Sequence, residues 1–148
     1  MICIVQRVTE ARVDVAGETV GAIKNGLLVL ASVVVDDTEA DIEWVAQKLV
    51  GLRIFRNGDK HFDLDVTQVS GSILLVSNFT VAADTRNGRR PSLIAAARPE
   101  PGEKLFNHLV EYVKALGVPV ATGKFGASMQ VHLVNDGPAT FVVQNDPK

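Results

Sequence analysis

At 148 residues the chain suits one domain with a substantial core, and its 47% apolar and 22% charged residues belong to a globular protein rather than a disordered one. The formal net charge of −2 argues against extended binding along a nucleic-acid backbone, which needs many Lys and Arg contacts, though it leaves room for a grip on a strand end. A lone Cys3 excludes an intrachain disulfide framework and favours a reducing compartment, and no apolar run reaches about 18 residues, so the expectation is a soluble, cytoplasmic protein with no membrane partner.

Strand signals open the chain: Ile2, Ile4 and Val8 lead into the alternating Ala11–Val15, Ala16-Gly17-Glu18 turns, and Thr19 to Ile23 returns. Lys24-Asn25-Gly26 is the clearest hairpin signal, and the nearly continuous apolar run Leu27–Val35 predicts a central strand. A helix follows, with Thr38 as cap, Asp41 in the capping-box position, a stripe of Ile42, Val45, Ala46 and Leu49, and Gly51 at its end. Arg53-Ile54-Phe55 reads as a short strand, Asn57-Gly58 as a turn, His61–Val66 as a weakly alternating strand and Gly71–Phe79 as a strong one. Residues 82–99 read as loop. A second helix is predicted from about Pro101 to Leu116, with Leu105, Leu109, Tyr112, Val113 and Leu116 facing inward and Gly117 ending it. Val118–Ala121 reads as a short strand, and Ser128–Val134 and Ala139–Val143 as two strands joined by a turn. No repeat or linker interrupts this order. The fold class is α+β: one domain over 1–148, with a curved or barrel-like, mainly antiparallel sheet and two main helices packed outside.

The chemistry-bearing residues narrow the choices. His61, His108 and His132 are scattered and no Cys-x-x-Cys or His-Glu-x-x-His occurs, so neither a metal nor a cofactor is expected; the nucleotide-binding glycine patterns are also missing. Ser77-Asn78-Phe79-Thr80 ends a strand. Thr80 as a covalent nucleophile would need a base, and none stands in the segment. Two other readings stay open: a strand-end hydroxyl satisfying a loose backbone group, or backbone N–H groups that stabilise an oxyanion without any special side chain. Asn135-Asp136-Gly137-Pro138-Ala139-Thr140 is stranger, because proline removes a donor where a strand should begin. It reads as a tight turn or as a rigid wedge. A basic excess, Arg86, Arg89, Arg90 and Arg98 with Lys104 nearby, reads as a solvated loop face.

Both segments resemble the signature motifs of the D-aminoacyl-tRNA deacylases, usually Ser-Gln-Phe-Thr and Asn-x-Gly-Pro-x-Thr/Val. The resemblance runs along essentially the whole chain, in order: Ile4-Val5-Gln6-Arg7-Val8, Gly26-Leu27-Leu28-Val29-Leu30, Arg53-Ile54-Phe55, Ala82-Ala83-Asp84-Thr85, Gly88-x-Arg90-Pro91-Ser92 and Thr122-Gly123-x-Phe125-Gly126-Ala127-x-Met129. It implies a tRNA-editing esterase that hydrolyses the ester between a D-amino acid, or glycine, and the 3′-terminal adenosine of tRNA. It further implies a homodimer in which a Gly-cis-Pro of one subunit enters the site of the other and rejects L-aminoacyl-tRNA. Carried over, Gly137 and Pro138 would form that filter and Arg7 would support it. Phe79 and Thr80 would line the acyl pocket beside Ser77 and Asn78 and supply amides, while Phe125 and Met129 would flank the adenosine. The tRNA 2′-hydroxyl would help activate water. The partners implied are aminoacyl-tRNA and a second copy of the chain, with no DNA.

Two positions depart from the pattern: Asn78 stands where Gln is usual, and Leu93 where Phe is usual. Two alternatives remain at this level. One is a deacylase of relaxed chirality, expected if the Gly-Pro bond is trans. The other is a non-catalytic module that binds the tRNA end, favoured by the missing base.

Overall fold

The computed structural model describes residues 1–145. Its spine is β1 (Ile2–Val15), which pairs along almost its whole length with the last strand, β8 (Gln130–Gln144), from Ile2↔Gln144 to Asp14↔Gln130. On its other side β1 first meets β3 (Gly26–Ser32) and then β2 (Glu18–Ile23), all antiparallel. Parallel pairing takes over beyond β3: β6 (Ser72–Ser77) lies beside it, and β7 (Val120–Thr122) beside β6. The two helices are the crossovers such pairing requires. Helix α1 (Glu39–Gly51) lies on the path from β3 to β6, and α2 (Pro99–Ala115) on the path from β6 to β7. A separate ribbon, β4 (Phe55–Asn57) with β5 (Lys60–Leu64), sits between α1 and β6 in the chain.

Curvature brings the far edges of the sheet almost together. A Cβ on Gly21 of β2 would fall 2.1 Å from the Thr122 carbonyl oxygen of β7, so only glycine permits that approach. Gly26 does the same at the start of β3, where a Cβ would lie 1.8 Å from the Ser72 carbonyl. The Asn25-Gly26 step therefore serves the β3–β6 junction as well as the turn.

Alternation along the central strands divides the core. Leu27, Val29 and Ala31 of β3, with Ile73 and Leu75 of β6, pack against Ile42, Val45, Ala46 and Leu49 of α1 and Phe106, Leu109, Val110 and Val113 of α2. Leu28, Leu74 and Val76 face the inside of the curl, with Val8, Ala11, Val13 and Ile23. Both faces of β3 and β6 are thus covered, which explains their continuous apolar runs. Helix α1 begins with the expected capping box, in which Asp41 accepts from the Thr38 N–H at 2.8 Å and the Thr38 hydroxyl accepts from the Asp41 N–H at 3.4 Å. Gly117, at φ +93°, closes α2.

Several boundaries move. Helix α2 starts at Pro99, because proline at the first position costs no hydrogen bond. Its buried stripe includes Phe106 and Val110, while Leu116 lies at the solvent-exposed end. The ribbon strands are shifted, with Arg53 and Ile54 preceding β4 and Val66 buried beyond β5. Strand β6 stops at Ser77 and passes into a 3₁₀ turn, Phe79–Ala82.

The largest revision concerns the C-terminus. The two expected strands joined by a turn are one strand, β8, whose two arms pair with β1 in the same sense. The register slips between Gln6 and Val8 and again between Val8 and Glu10, so the Gly-Pro step is an outward bulge within a ladder. An edge strand is where proline is tolerated, because its missing N–H interrupts no second ladder. The Gly137–Pro138 peptide bond is cis.

Candidate active site

A cleft of about 590 Å³ opens where β3 and β6 end. Ser77, Asn78 and Phe79 form one wall and Phe125, Gly126, Ala127 and Met129 the other, with Leu93, Ala96, Ala97 and Pro99 closing the side toward α2 and Phe106 of that helix also lining it. The lining is largely apolar. Gly123 seats Met129: a Cβ there would stand 2.6 Å from the methionine sulfur.

The wall at Ser77–Ala82 follows from how β6 ends. The Asn78 N–H makes the last bond to the sheet, donating to the Ala31 carbonyl at 2.9 Å. The chain then tightens, with Val81 N–H donating to Asn78 at 3.3 Å and Ala83 N–H to Thr80 at 3.0 Å. Buried Ser32 donates its hydroxyl to the Phe79 carbonyl at 3.2 Å and holds the turn from below. Among the described residues, the N–H groups of Phe79 and Thr80 are left without a protein acceptor. Such donors, at the edge of an apolar cleft, can receive a carbonyl oxygen that gains charge on attack.

The Thr80 hydroxyl donates to Asn78 Oδ1 at 2.6 Å. An amide oxygen is no general base, so this contact orients the hydroxyl without activating it. Thr80 is exposed and does not itself line the cleft. Cys3 is no alternative nucleophile, since burial pushes its thiol up to about 12. Among the described residues no group of three or more His, Cys, Asp or Glu is placed to hold a metal ion.

The other predicted segment lies elsewhere. Gly137 and Pro138 are exposed and form no part of the cleft of their own chain. They are nevertheless firmly braced. Arg7, only 2% exposed, donates through Nε to the Asp136 carbonyl at 2.8 Å and through Nη1 to the carbonyls of Ile54 at 2.8 Å and His61 at 3.3 Å. Its Nε also lies 3.4 Å from the Asp136 carboxylate, and its guanidinium stacks 5.6 Å above the Phe62 ring. Burial lowers the Arg7 pKa, the Asp136 charge opposes that shift, and Arg56 adds to it. Asn135 closes the bulge from inside: its Oδ1 accepts from the Ala139 N–H at 2.9 Å, and its Nδ2 donates to Gln6 Oε1 at 3.0 Å and the Ala139 carbonyl at 3.1 Å. A Cβ on Gly137 would fall 2.0 Å from the Ala139 nitrogen, so the bulge needs glycine there.

The sequence-predicted residues thus separate into a cleft group (Ser77, Asn78, Phe79, Phe125 and Met129), Thr80 just outside it, and the Gly137-Pro138 bulge on Arg7. Ser32, Gln6 and Asn135 are supporting residues to which the sequence assigned no role, although Gln6 and Asn135 stand within its motifs. A signal existed for Ser32, a polar residue inside the apolar run Leu27–Val35, and for Asn135, the first residue of the Gly-Pro motif.

The fold is a barrel-like mixed sheet with two helices packed on it and a cleft at its strand ends, and the matching sequence family places it among the aminoacyl-tRNA deacylases. The match is to the D-Tyr-tRNA(Tyr) deacylase family, whose sequence model covers residues 4–144, and the chain belongs to it. It is 51% identical over 143 residues to a D-aminoacyl-tRNA deacylase of Geobacter sulfurreducens, covering 97% of this chain and 94% of that protein. A D-aminoacyl-tRNA deacylase of Thermotoga petrophila is 50% identical over 145 residues, covering 98% and 97% respectively. Among solved structures, a c-Myc DNA unwinding element binding protein superposes with a TM-score of 0.95 at 36% identity, covering 99% of this chain and all (100%) of that one. A probable eukaryotic D-amino acid tRNA deacylase superposes at 0.80 with 14% identity, covering 96% and 98%, a likeness of fold. No helix among the described residues is long and apolar enough to cross a membrane.

Proposed function

We propose that the protein is a D-aminoacyl-tRNA deacylase of the cytoplasm, hydrolysing the ester between a D-amino acid or glycine and the 3′-terminal adenosine of tRNA. The observation that carries this reading is the pair of unaccepted N–H groups at Phe79 and Thr80 on the edge of an apolar cleft, in a chain similar to the family from residue 4 to 144. Water adds to the ester carbonyl, and the oxygen that becomes anionic is held by those amides. The carbon–oxygen bond to the ribose then breaks, and the 3′-oxygen leaves with a proton. The Thr80 hydroxyl, bonded to Asn78, takes no covalent part. Among the described residues no histidine or carboxylate lines the cleft, and the 2′-hydroxyl of the substrate assists the water. Phe125 and Met129 flank the adenosine, and the acyl side chain lies toward Phe79.

Chirality is enforced between subunits in this reading. Gly137 and Pro138 are exposed, absent from their own cleft and held by a buried arginine, the properties of a part that works on another surface. Two copies of the chain would each place this bulge in the other's cleft, where its backbone excludes an L side chain and admits D or glycine. The missing base favours one competing reading, a module that binds the tRNA end without catalysis.

Deacylation of D-Tyr-tRNA, L-Tyr-tRNA and Gly-tRNA by the purified protein, with its mass in solution measured alongside, tests all of this. Loss of the D and glycyl esters with the L ester spared, by a dimer, is the expected result. No hydrolysis of any ester would leave the binding module, and a monomer that still spares the L ester would remove the cross-subunit filter.

A further inference from the structure

The basic cluster of residues 86–104 has no role in the reaction, and the fold rearranges its membership. Arg86 is consumed internally: its Nε and Nη2 reach the two Asp84 carboxylate oxygens at 2.9 and 2.7 Å. Lys104 lies two residues from both Gly102 and Phe106, which line the cleft, and a two-residue step turns a helix through about 200°, to its far side. Three arginines remain. Arg98 sits between the cleft residues Ala97 and Pro99. Arg89 and Arg90 stand on a loop closed at its base by reciprocal Asp84–Ser92 backbone bonds, both 2.9 Å, and followed at once by the lining residue Leu93. The opposite wall contributes Lys124, next to Phe125. All four side chains belong to exposed residues with no acidic partner among the described residues. Glu100, on the first turn of α2, and Glu103, just beyond it, are the opposing charges nearest in sequence.

These four cations do not line the cleft themselves but stand one to four residues in sequence from side chains that do, in a chain of net charge −2. Exposed apolar side chains lie among them, with Ile94 at 87%, Phe79 at 59% and Leu93 at 42% exposure. Phosphates that track a positively charged groove while bases stack on aromatic side chains are how proteins hold a single strand without reading its sequence, and Phe79 is the aromatic of this group.

We infer that Arg89, Arg90, Arg98 and Lys124 form a phosphate-binding rim that seats the single-stranded 3′ end of the RNA as it leaves the cleft. The inference rests on the proposed activity for the identity of the strand, and it adds the route that strand takes. Recognition along the rim is electrostatic and independent of sequence, so it serves many tRNAs with the same four side chains.

Salt dependence reads this directly. Each phosphate contact on a single strand contributes about −0.7 to the slope of log affinity against log salt, so four contacts lose roughly 50-fold between 50 and 200 mM KCl. The experiment measures equilibrium binding of uncharged tRNA across that range, and hydrolysis of D-tyrosyl-tRNA and of the small ester D-tyrosyl-adenosine. The proteins compared are wild type, the triple variant Arg89→Gln/Arg90→Gln/Lys124→Gln, and Lys24→Gln as a cation remote from the cleft. The triple variant should bind tRNA with a slope shallower by about 2 and a raised KM for the tRNA ester, while kcat and hydrolysis of the small ester hold. Lys24→Gln should match wild type. An unchanged slope in the triple variant, or an equal loss on the small ester, would overturn the rim. Salt-dependent binding without hydrolysis would keep the rim and remove the esterase reading; hydrolysis with salt-independent binding would do the reverse.

Discussion

The cleft segment Ser77–Ala82 and the bulge Asn135–Thr140 are both places where a strand departs from its ladder, yet they are built on opposite plans. At the cleft the backbone is loosely held. Ser32 fixes one carbonyl, Asn78 takes one hydroxyl, and two N–H groups are left open. At the bulge, Arg7 holds Asp136 and Asn135 holds Ala139, on either side of the Gly-Pro step, while Gln6 accepts from Asn135. Open donors suit a segment that must accept a changing charge, because donors already satisfied have nothing to offer a transition state. A segment that must reject a ligand by collision needs the reverse, a position that does not yield.

Removing the brace should have the largest effect. Arg7→Met keeps volume but strips three backbone carbonyls of their donor, one of them the buried carbonyl of Ile54. We expect a loss of about 3–5 kcal/mol of stability in urea denaturation, together with loss of discrimination between D- and L-tyrosyl-tRNA. A variant as stable as wild type would show that the bulge holds itself and that the contrast with the cleft is false.

Gly137→Ala acts on the bulge alone. The new methyl would lie 2.0 Å from the Ala139 nitrogen and 2.9 Å from Asn135 Oδ1, so the backbone must move. A destabilisation of about 1–3 kcal/mol is expected, with the D-to-L ratio of deacylation rates falling about a hundredfold, since a displacement near 1 Å is enough for that. Thermal unfolding and paired deacylation assays separate the two effects. An unchanged ratio would detach the bulge from chirality.

Asn135→Ala is milder. It leaves the Ala139 N–H without its acceptor but keeps Arg7 on Asp136, so about 1–2 kcal/mol should be lost, with a smaller drop in chiral discrimination than for Gly137→Ala. If the loss matched that of Arg7→Met, the two braces would act as one network, which the double variant would reveal as non-additive.

How much of this contrast could be read from the sequence follows the same division. The cap at Thr38 and Asp41, the stop at Gly117 and the apolar stripe of α1 depend on neighbours in the chain, and those are where expected and observed structure agree. Strand β8 could not be read as one element, because Asp-Gly-Pro has the composition of a turn. Only its pairing partner shows that both arms run along β1. The parallel alignment of β3, β6 and β7 is hidden for the same reason. Arg7 was recognisable from its motif, but its acceptors at Ile54 and His61 are 47 and 54 residues away in sequence. The cleft was legible only as a strand end, since free backbone donors have no letter of their own.

The smallest effect should be the most informative about the cleft. Thr80→Ala removes a hydroxyl that donates to Asn78 and leaves the Thr80 backbone N–H in place. If catalysis rests on the open amides, single-turnover deacylation of D-tyrosyl-tRNA should fall by less than about tenfold. Loss of a covalent nucleophile would cost about 10⁴-fold or more. Thr80→Val keeps the branched shape and should behave alike. Should both variants be inactive while folded, the hydroxyl would join the chemistry and the cleft could no longer be called a backbone site. Should both be nearly intact, the polar side chains of this fold work mainly at the bulge, and the cleft acts through its main chain.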